Sequence, residues 1–271
     1  MRIFFINILL LFILFPNIAS ASENLTPLNE KLYYEAQWSN INFGKIGIEI
    51  DQQVDKANVI CDITSSGIMA LFVKHSSHTT LTATGKNFNY PERVYESNYH
   101  TRKKARAVKL TYKGGKIAEE ELNPPENREK RPAVPQDDIN GAYDLMSFLL
   151  QMRSEITKAQ RTGKTDFTLN AYDGRRLSQA DFNIVGEKAI TIAGEKQSAL
   201  AVTARRKQLA GFTESEIADN DPNEPSLTIY FSNDKKLIPL MMEVPFFGQK
   251  ISAVLIKKCD KAGECLLGIS G

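Results

Sequence analysis

Period-two alternation constrains this chain more than any other feature. In residues 43–50, Ile46, Ile48 and Ile50 point one way while Lys45, Gly47 and Glu49 point the other. In residues 58–64, Val59, Cys61 and Ile63 share a face, and in residues 226–231, Leu227, Ile229 and Phe231 do. Alternation at this period buries one face of a strand and wets the other. Roughly a dozen such segments recur between turn signals such as Gly114-Gly115, Asp173-Gly174 and Gly194, the pattern of an antiparallel all-β protein. Gly186 and Gly194 are read as breaks between short strands, and residues 93–101 and 105–112 as a hairpin about Arg102-Lys103-Lys104. In its second strand Val108, Leu110 and Tyr112 oppose Ala105, Ala107 and Lys109.

Two stretches depart from the alternation. Residues 123–138 hold four prolines and many charges, and read as an exposed connector over about 123–137. Directly after it, Tyr143, Leu145, Met146, Phe148, Leu149, Met152 and Ile156 recur at helical spacing. This predicts one amphipathic helix over about 138–160, capped by Asp137 or Asp138, ended by Gly163, and packed on a sheet or filling its hollow. Residues 67–74 read as a short apolar helix or loop. Residues 211–225 are polar and acidic and read as a loop.

The amino terminus carries an export signal. Met1-Arg2 is basic, the 13 residues 3–15 are apolar apart from Asn7, and Ala19-Ser20-Ala21 satisfies the small-x-small rule for cleavage. Spanning a bilayer takes roughly 20 apolar residues, so a signal peptide at 1–21 is expected rather than a membrane anchor. No cysteine stands at the cleavage site to take a lipid. The mature chain, 22–271, is expected to be a single β-rich domain in the periplasm. Of the 271 residues, 34 are Lys or Arg and 32 are Asp or Glu; without Arg2 the excess is +1, which argues against a nucleic-acid or general anionic-membrane binder.

Export makes the three cysteines candidates for pairing. Cys259 and Cys265 flank Asp-Lys-Ala-Gly-Glu, a plausible hairpin tip, and a local bond between them is expected; the rival joins Cys61 to either one. Alternatively, Cys61 is simply a small core residue.

Chemistry-bearing motifs are sparse. His75-Ser76-Ser77-His78 offers neither a third ligand nor a nearby carboxylate, and no nucleophile elbow, zinc-protease helix or phosphate-binding glycine loop occurs. No catalytic residue, metal or cofactor is therefore expected. Arg102, Lys103, Lys104 and Arg106 form the densest basic stretch. They are either the solvated outer face of an edge hairpin, balanced by Glu119-Glu120-Glu121 on a neighbouring strand, or a contact for an anionic group.

The order of several short motifs is recognisable: Leu32-Tyr33-Tyr34, Phe43-Gly44-Lys45-Ile46-Gly47, Thr64-Ser65-Ser66-Gly67, Tyr90-Pro91-Glu92-Arg93-Val94-Tyr95, Asp144-Leu145-Met146-Ser147, Tyr172-Asp173-Gly174-Arg175-Arg176 and Ile229-Tyr230-Phe231-Ser232-Asn233-Asp234 before Ile238-Pro239-Leu240. Over residues 32–256 the chain resembles the domain-of-unknown-function family 3108 of bacterial exported proteins. Its architecture is also similar to that of the envelope integrity protein EipB and to the hollow half-barrels of lipoprotein carriers. The resemblance implies a strongly curved antiparallel sheet, a β-spiral or half-barrel with one central amphipathic helix. It also implies a non-enzymatic envelope protein with a concave groove and, if the EipB-like bond applies, a disulfide from Cys61 to the C-terminal strand.

The expected function is binding of a lipid, lipoprotein or envelope protein in the concave sheet, with groove residues drawn from Trp38, Phe43, Phe72, Tyr99, Tyr112, Phe148 and Phe231. The alternatives are a module that binds a partner protein through an exposed edge strand, and a hydrolase with an unrecognised site.

Overall fold

The computed structural model describes residues 25–39, 41–67, 70, 74–192, 194–218, 227–246, 248–260 and 264–267. The signal sequence lies outside the described residues, as do Phe72 and most of residues 67–74. The alternating segments become strands β1 Leu28–Trp38, β2 Ile41–Gln52, β3 Lys56–Ser65, β4 His75–Lys86, β5 Asn89–Thr101, β6 Ala105–Lys113, β7 Lys116–Asn123, β8 Asp166–Tyr172, β9 Leu177–Ile192, β10 Glu195–Ala210, β11 Leu227–Ser232, β12 Pro239–Phe246, β13 Gln249–Cys259 and β14 Cys265–Leu267. Two helices join them, α1 Leu145–Thr162 and α2 Glu214–Ala218.

All strands form one antiparallel sheet in the order β7-β6-β5-β4-β3-β2-β1-β13-β12-β11-β10-β9-β8. Each half is a meander of sequential hairpins, and the halves meet where β1 pairs β13. On its other side β13 is paired in two parts, Gln249 to Val254 by β12 and Lys257 to Cys259 by β14. The chain crosses from one edge of the sheet, β7, to the other, β8, through α1.

That crossing is short because the sheet curls until its edges approach. Tyr172 Oη at the end of β8 donates to Glu120 on β7 at 2.6 Å. The turn after β8 packs so tightly on β6 and β7 that a Cβ on Gly174, which has φ 87°, would stand 2.6 Å from Val108 Cγ1. Among the described residues no ladder joins β7 to β8, so the sheet is not closed into a barrel.

The expected faces are the observed ones. Ile48, Ile50, Val59, Cys61, Leu110, Tyr112, Ile229 and Phe231 are buried on the concave side. The helix fills the hollow between the two meanders. Leu150 belongs to one core cluster with Leu32, Tyr34, Leu81 and Leu110, while Met152 and Ile156 belong to a second with Phe182, Leu200, Ile229 and Phe231. Fully burying side chains of this size contributes about 1.5–3 kcal/mol each.

Several boundaries differ from expectation. The helix starts at Leu145, not near 138, because Asp144 rather than Asp137 or Asp138 caps it, accepting from Met146 N at 3.1 Å and Ser147 N at 2.8 Å. Gly163 ends it in the left-handed region, as expected. Leu145, placed on the apolar stripe, is exposed, and Leu150 takes the core position instead. The connector over about 123–137 is not wholly exposed, since Arg131 is buried in it. Gly186 does not break a strand. It lies within β9 opposite Ala201, where the register with β10 shifts by a bulge, and glycine accommodates the φ of 104° there.

Cys259 and Cys265 are disulfide-bonded, so the local pairing holds and the bond from Cys61 does not form. Cys61 is a buried free thiol, and burial pushes it up to about 11, which makes it unreactive.

Candidate functional site

α1 occupies the hollow of the sheet, and among the described residues the two large cavities beside it lie toward its two ends, as its mouths.

At the C-terminal mouth a cavity of about 610 Å³ opens among Leu25, Leu28, Leu150 and Leu237, with Gln52, Ser154 and Thr157 on its walls and Arg161, Lys235 and Lys236 at its margin. α1 supplies one wall because residues 150, 154, 157 and 161 recur at helical spacing along a single stripe. Arg153, one residue off that stripe, is 4% exposed and forms an ion pair with Glu30 of β1, itself 4% exposed. Its other terminal nitrogen donates to the Lys236 carbonyl. This one side chain thereby ties helix, first strand and the turn before β12. Nearby, burial and the charge of Lys236 lower the affinity of the Lys258 amine for its proton.

At the N-terminal mouth a cavity of about 490 Å³ is lined by Tyr95, Ser97 and Tyr99 of β5, Lys104 and Arg106 at the start of β6, Arg131 of the connector, Arg175 and Arg176 of the β8–β9 turn, and Glu216 of α2. The strand residues converge because alternate positions share the concave face. Arg131 forms a two-pronged pair with Glu216 at 2.8 and 2.9 Å, and Arg176 pairs with Asp173 at 2.7 Å. Glu126 serves three guanidinium groups: Arg175 at 2.5 Å, Arg131 at 3.4 Å and Arg106 at 4.0 Å. The Arg131 hydrogen bonds hold the Glu216 carboxyl down to about 2. Glu216 in turn raises Arg131, whereas burial and the neighbouring Arg106 lower Arg175.

The sequence-predicted residues divide between these places. Tyr99, Lys104 and Arg106 meet at the N-terminal mouth. Arg102 and Lys103 lie in the exposed β5–β6 turn and do not line it. The basic run is therefore not solely an outer face, because Arg106 shares the concave parity of Val108 and Leu110. Nor does the 119–121 acidic cluster balance it: Glu121 meets Lys109 at 3.8 Å, and Arg106 faces Glu126 instead. Tyr112 and Phe231 are 1% and 0% exposed and belong to the core, with the Arg93 guanidinium 4.0 Å above the Tyr112 ring. Phe148 packs on Phe182, and Trp38 packs on Phe246 near the ends of β1 and β12. Phe43 is half-buried and lines neither mouth.

Sequence reading missed Arg131, Arg153, Arg175, Arg176 and Glu216. The available signal was the adjacent Arg175-Arg176 after a tight Asp-Gly turn; nothing local marks the others. It also missed a carboxylate beside the histidines, since Asp62 of β3 lies 2.7 Å from His78 Nδ1. Both side chains are more than half exposed on the outer face. Among the described residues no group of three or more His, Cys, Asp or Glu could hold a metal, and no helix is long and apolar enough to cross a membrane.

The family model for a protein of unknown function, DUF3108, matches residues 33–255. No curated protein matches the chain. Among solved structures, a beta-barrel-like protein of domain of unknown function DUF1849 from Brucella abortus superposes with a TM-score of 0.58 at 11% identity, covering 87% of this chain and 99% of its own. That likeness is one of fold.

Proposed function

This chain belongs to the DUF3108 family, and from that premise we propose that it is a non-catalytic periplasmic protein that supports the cell envelope by holding an anionic amphiphile at the C-terminal mouth of α1. The observation that carries the reading is the cavity of about 610 Å³ with leucines inside and cations at its margin. Its volume falls within the roughly 300–1,000 Å³ of small-molecule sites. Leucines take an alkyl chain, and Arg161, Lys235 and Lys236 meet an acidic head at the water boundary. The local disulfide suits an oxidising compartment, and the amino-terminal pattern suits export.

The test is native mass spectrometry of the protein purified from its own envelope, followed by titration with a long-chain fatty acid. Ser154→Trp fills the cavity from the half-buried helix wall and should weaken binding by about tenfold or more with folding retained. A protein that carries no lipid and binds the fatty acid no better than Ser154→Trp sinks the proposal.

A second reading has its own observation. β7 and β8 each have an edge with no ladder partner, and a partner protein could add a strand there. Crosslinking that captures an envelope protein through β7, without co-purified lipid, would favour this reading over the first.

A further inference from the structure

The N-terminal mouth does not serve the reading above, and its charges do not balance. Five cations, Lys104, Arg106, Arg131, Arg175 and Arg176, line the cavity. Against them stand three carboxylates: Asp173 and Glu216 in the lining, and Glu126 behind it. Five minus three leaves an excess of two positive charges in a partly enclosed space.

The pairing is also incomplete at the level of atoms. Arg175 is 6% exposed, yet its Nη2 is buried without a hydrogen-bond partner, and Arg131, 7% exposed, holds its Nε 3.4 Å from Glu126 in an ion pair alone. A buried, unsatisfied charged donor is costly and is rare without a purpose. Arg106 stands beyond hydrogen-bond reach of Glu126, and Lys104 has no ion pair among the described residues. If these side chains served only to fasten α2 and the connector, the pairs of Arg131 and Arg176 with Glu216 would suffice. Arg106 beside the buried Arg175 adds repulsion and no fastening.

We propose that the arginine-lined cavity between β5, β6 and the β8–β9 turn is a binding site for a phosphate group carrying two negative charges. Two charges match the excess of two. Guanidinium forks present paired N–H groups that suit the oxygens of a tetrahedral phosphate, and Ser97 supplies a hydroxyl at the floor. Tyr99 offers a flat wall for whatever the phosphate is attached to. The group arrives either as free phosphate or as a lipid headgroup.

The experiment is calorimetric titration of the mature protein with inorganic phosphate, and flotation with phosphatidylcholine vesicles with and without phosphatidic acid. Arg106→Ser is the principal variant, since its side chain is 29% exposed and its loss spares the fold. Arg175→Lys keeps the charge and removes the fork. Saturable phosphate binding that weakens about tenfold in Arg106→Ser, and likewise in Arg175→Lys, supports the proposal with free phosphate as the source. Binding only to vesicles containing phosphatidic acid, lost in Arg106→Ser, supports it with a headgroup as the source. Binding that is unchanged in Arg106→Ser, or absent from both probes, overturns it. A failed fatty-acid titration at the opposite mouth leaves this result untouched, because the two sites share no lining residue.

Discussion

The two ends of α1 solve the same problem in opposite ways. Each must anchor a helix inside an incompletely closed barrel while leaving a cavity beside it. Beside the C-terminal mouth one arginine, at the middle of the helix, and one glutamate do so, both sealed from water. At the N-terminal end Asp144 caps the helix in full burial beside Arg93, and in the mouth beyond it four arginines share three carboxylates in graded exposure, with Lys104 outside the pairing. A sealed pair concentrates its energetic importance in two residues. A shared network spreads it, so that single losses are partly covered by neighbours and charge is left over for a ligand.

The strongest way to break this contrast is Arg153→Met. It leaves Glu30 buried and unpaired, and should destabilise the fold by about 3–5 kcal/mol in urea unfolding. Adding Glu30→Leu should recover most of that loss; a double variant as unstable as the single would show that Arg153 acts through packing instead.

Next in size is the disulfide between Cys259 and Cys265. It closes a short loop, with a sequence separation of 6. Cys259→Ser with Cys265→Ser should therefore cost about 2 kcal/mol in the chain-entropy account, read from the shift in thermal midpoint.

At the other mouth Glu216→Gln should cost only about 1 kcal/mol, and its cost should depend on pH. The native carboxyl lies near 2 against an ordinary value of 4.5. Its contribution is thus fully present above 4.5 and lost as pH falls through about 2. The urea midpoints of the two proteins should differ at neutral pH and converge in acid; a constant gap across that window would contradict the network. Smallest is His78→Ala on the exposed outer face, expected within about 0.5 kcal/mol by the same measurement.

The sheet was legible because each strand carries its own instruction: Ile46, Ile48 and Ile50 name a face without reference to anything distant. The helix stripe was legible too, but its start was not. Asp137, Asp138 and Asp144 all precede apolar residues, and only Asp144 has Ser147 and Arg93 placed to satisfy its carboxylate. The mouths were harder still. Arg131 reaches Glu216 across 85 residues and Arg153 reaches Glu30 across 123, distances at which no local periodicity carries information. Lys104 and Arg106 were visible as charge, but their direction followed from the parity of β6, already present in Val108, Leu110 and Tyr112. The aromatic residues misled because size marks core as readily as groove, as Tyr112 and Phe231 show.

The seam between β1 and β13 carries a further consequence, for the order of events rather than for the finished molecule. Lys31 sits opposite Cys259 in that ladder, so β1 waits for β13, more than 200 residues later in synthesis. Until then β1 is paired by β2 on one side and offers a bare edge on the other, a template for association with other chains. Each meander can zip locally, hairpin by hairpin, but joining them requires contacts of very high sequence separation, which are slow to form. Assembly of this protein is therefore most vulnerable in the middle of its sheet. A circular permutant with the seam strands joined by a hairpin and new ends opened in the connector before α1 would shorten that wait.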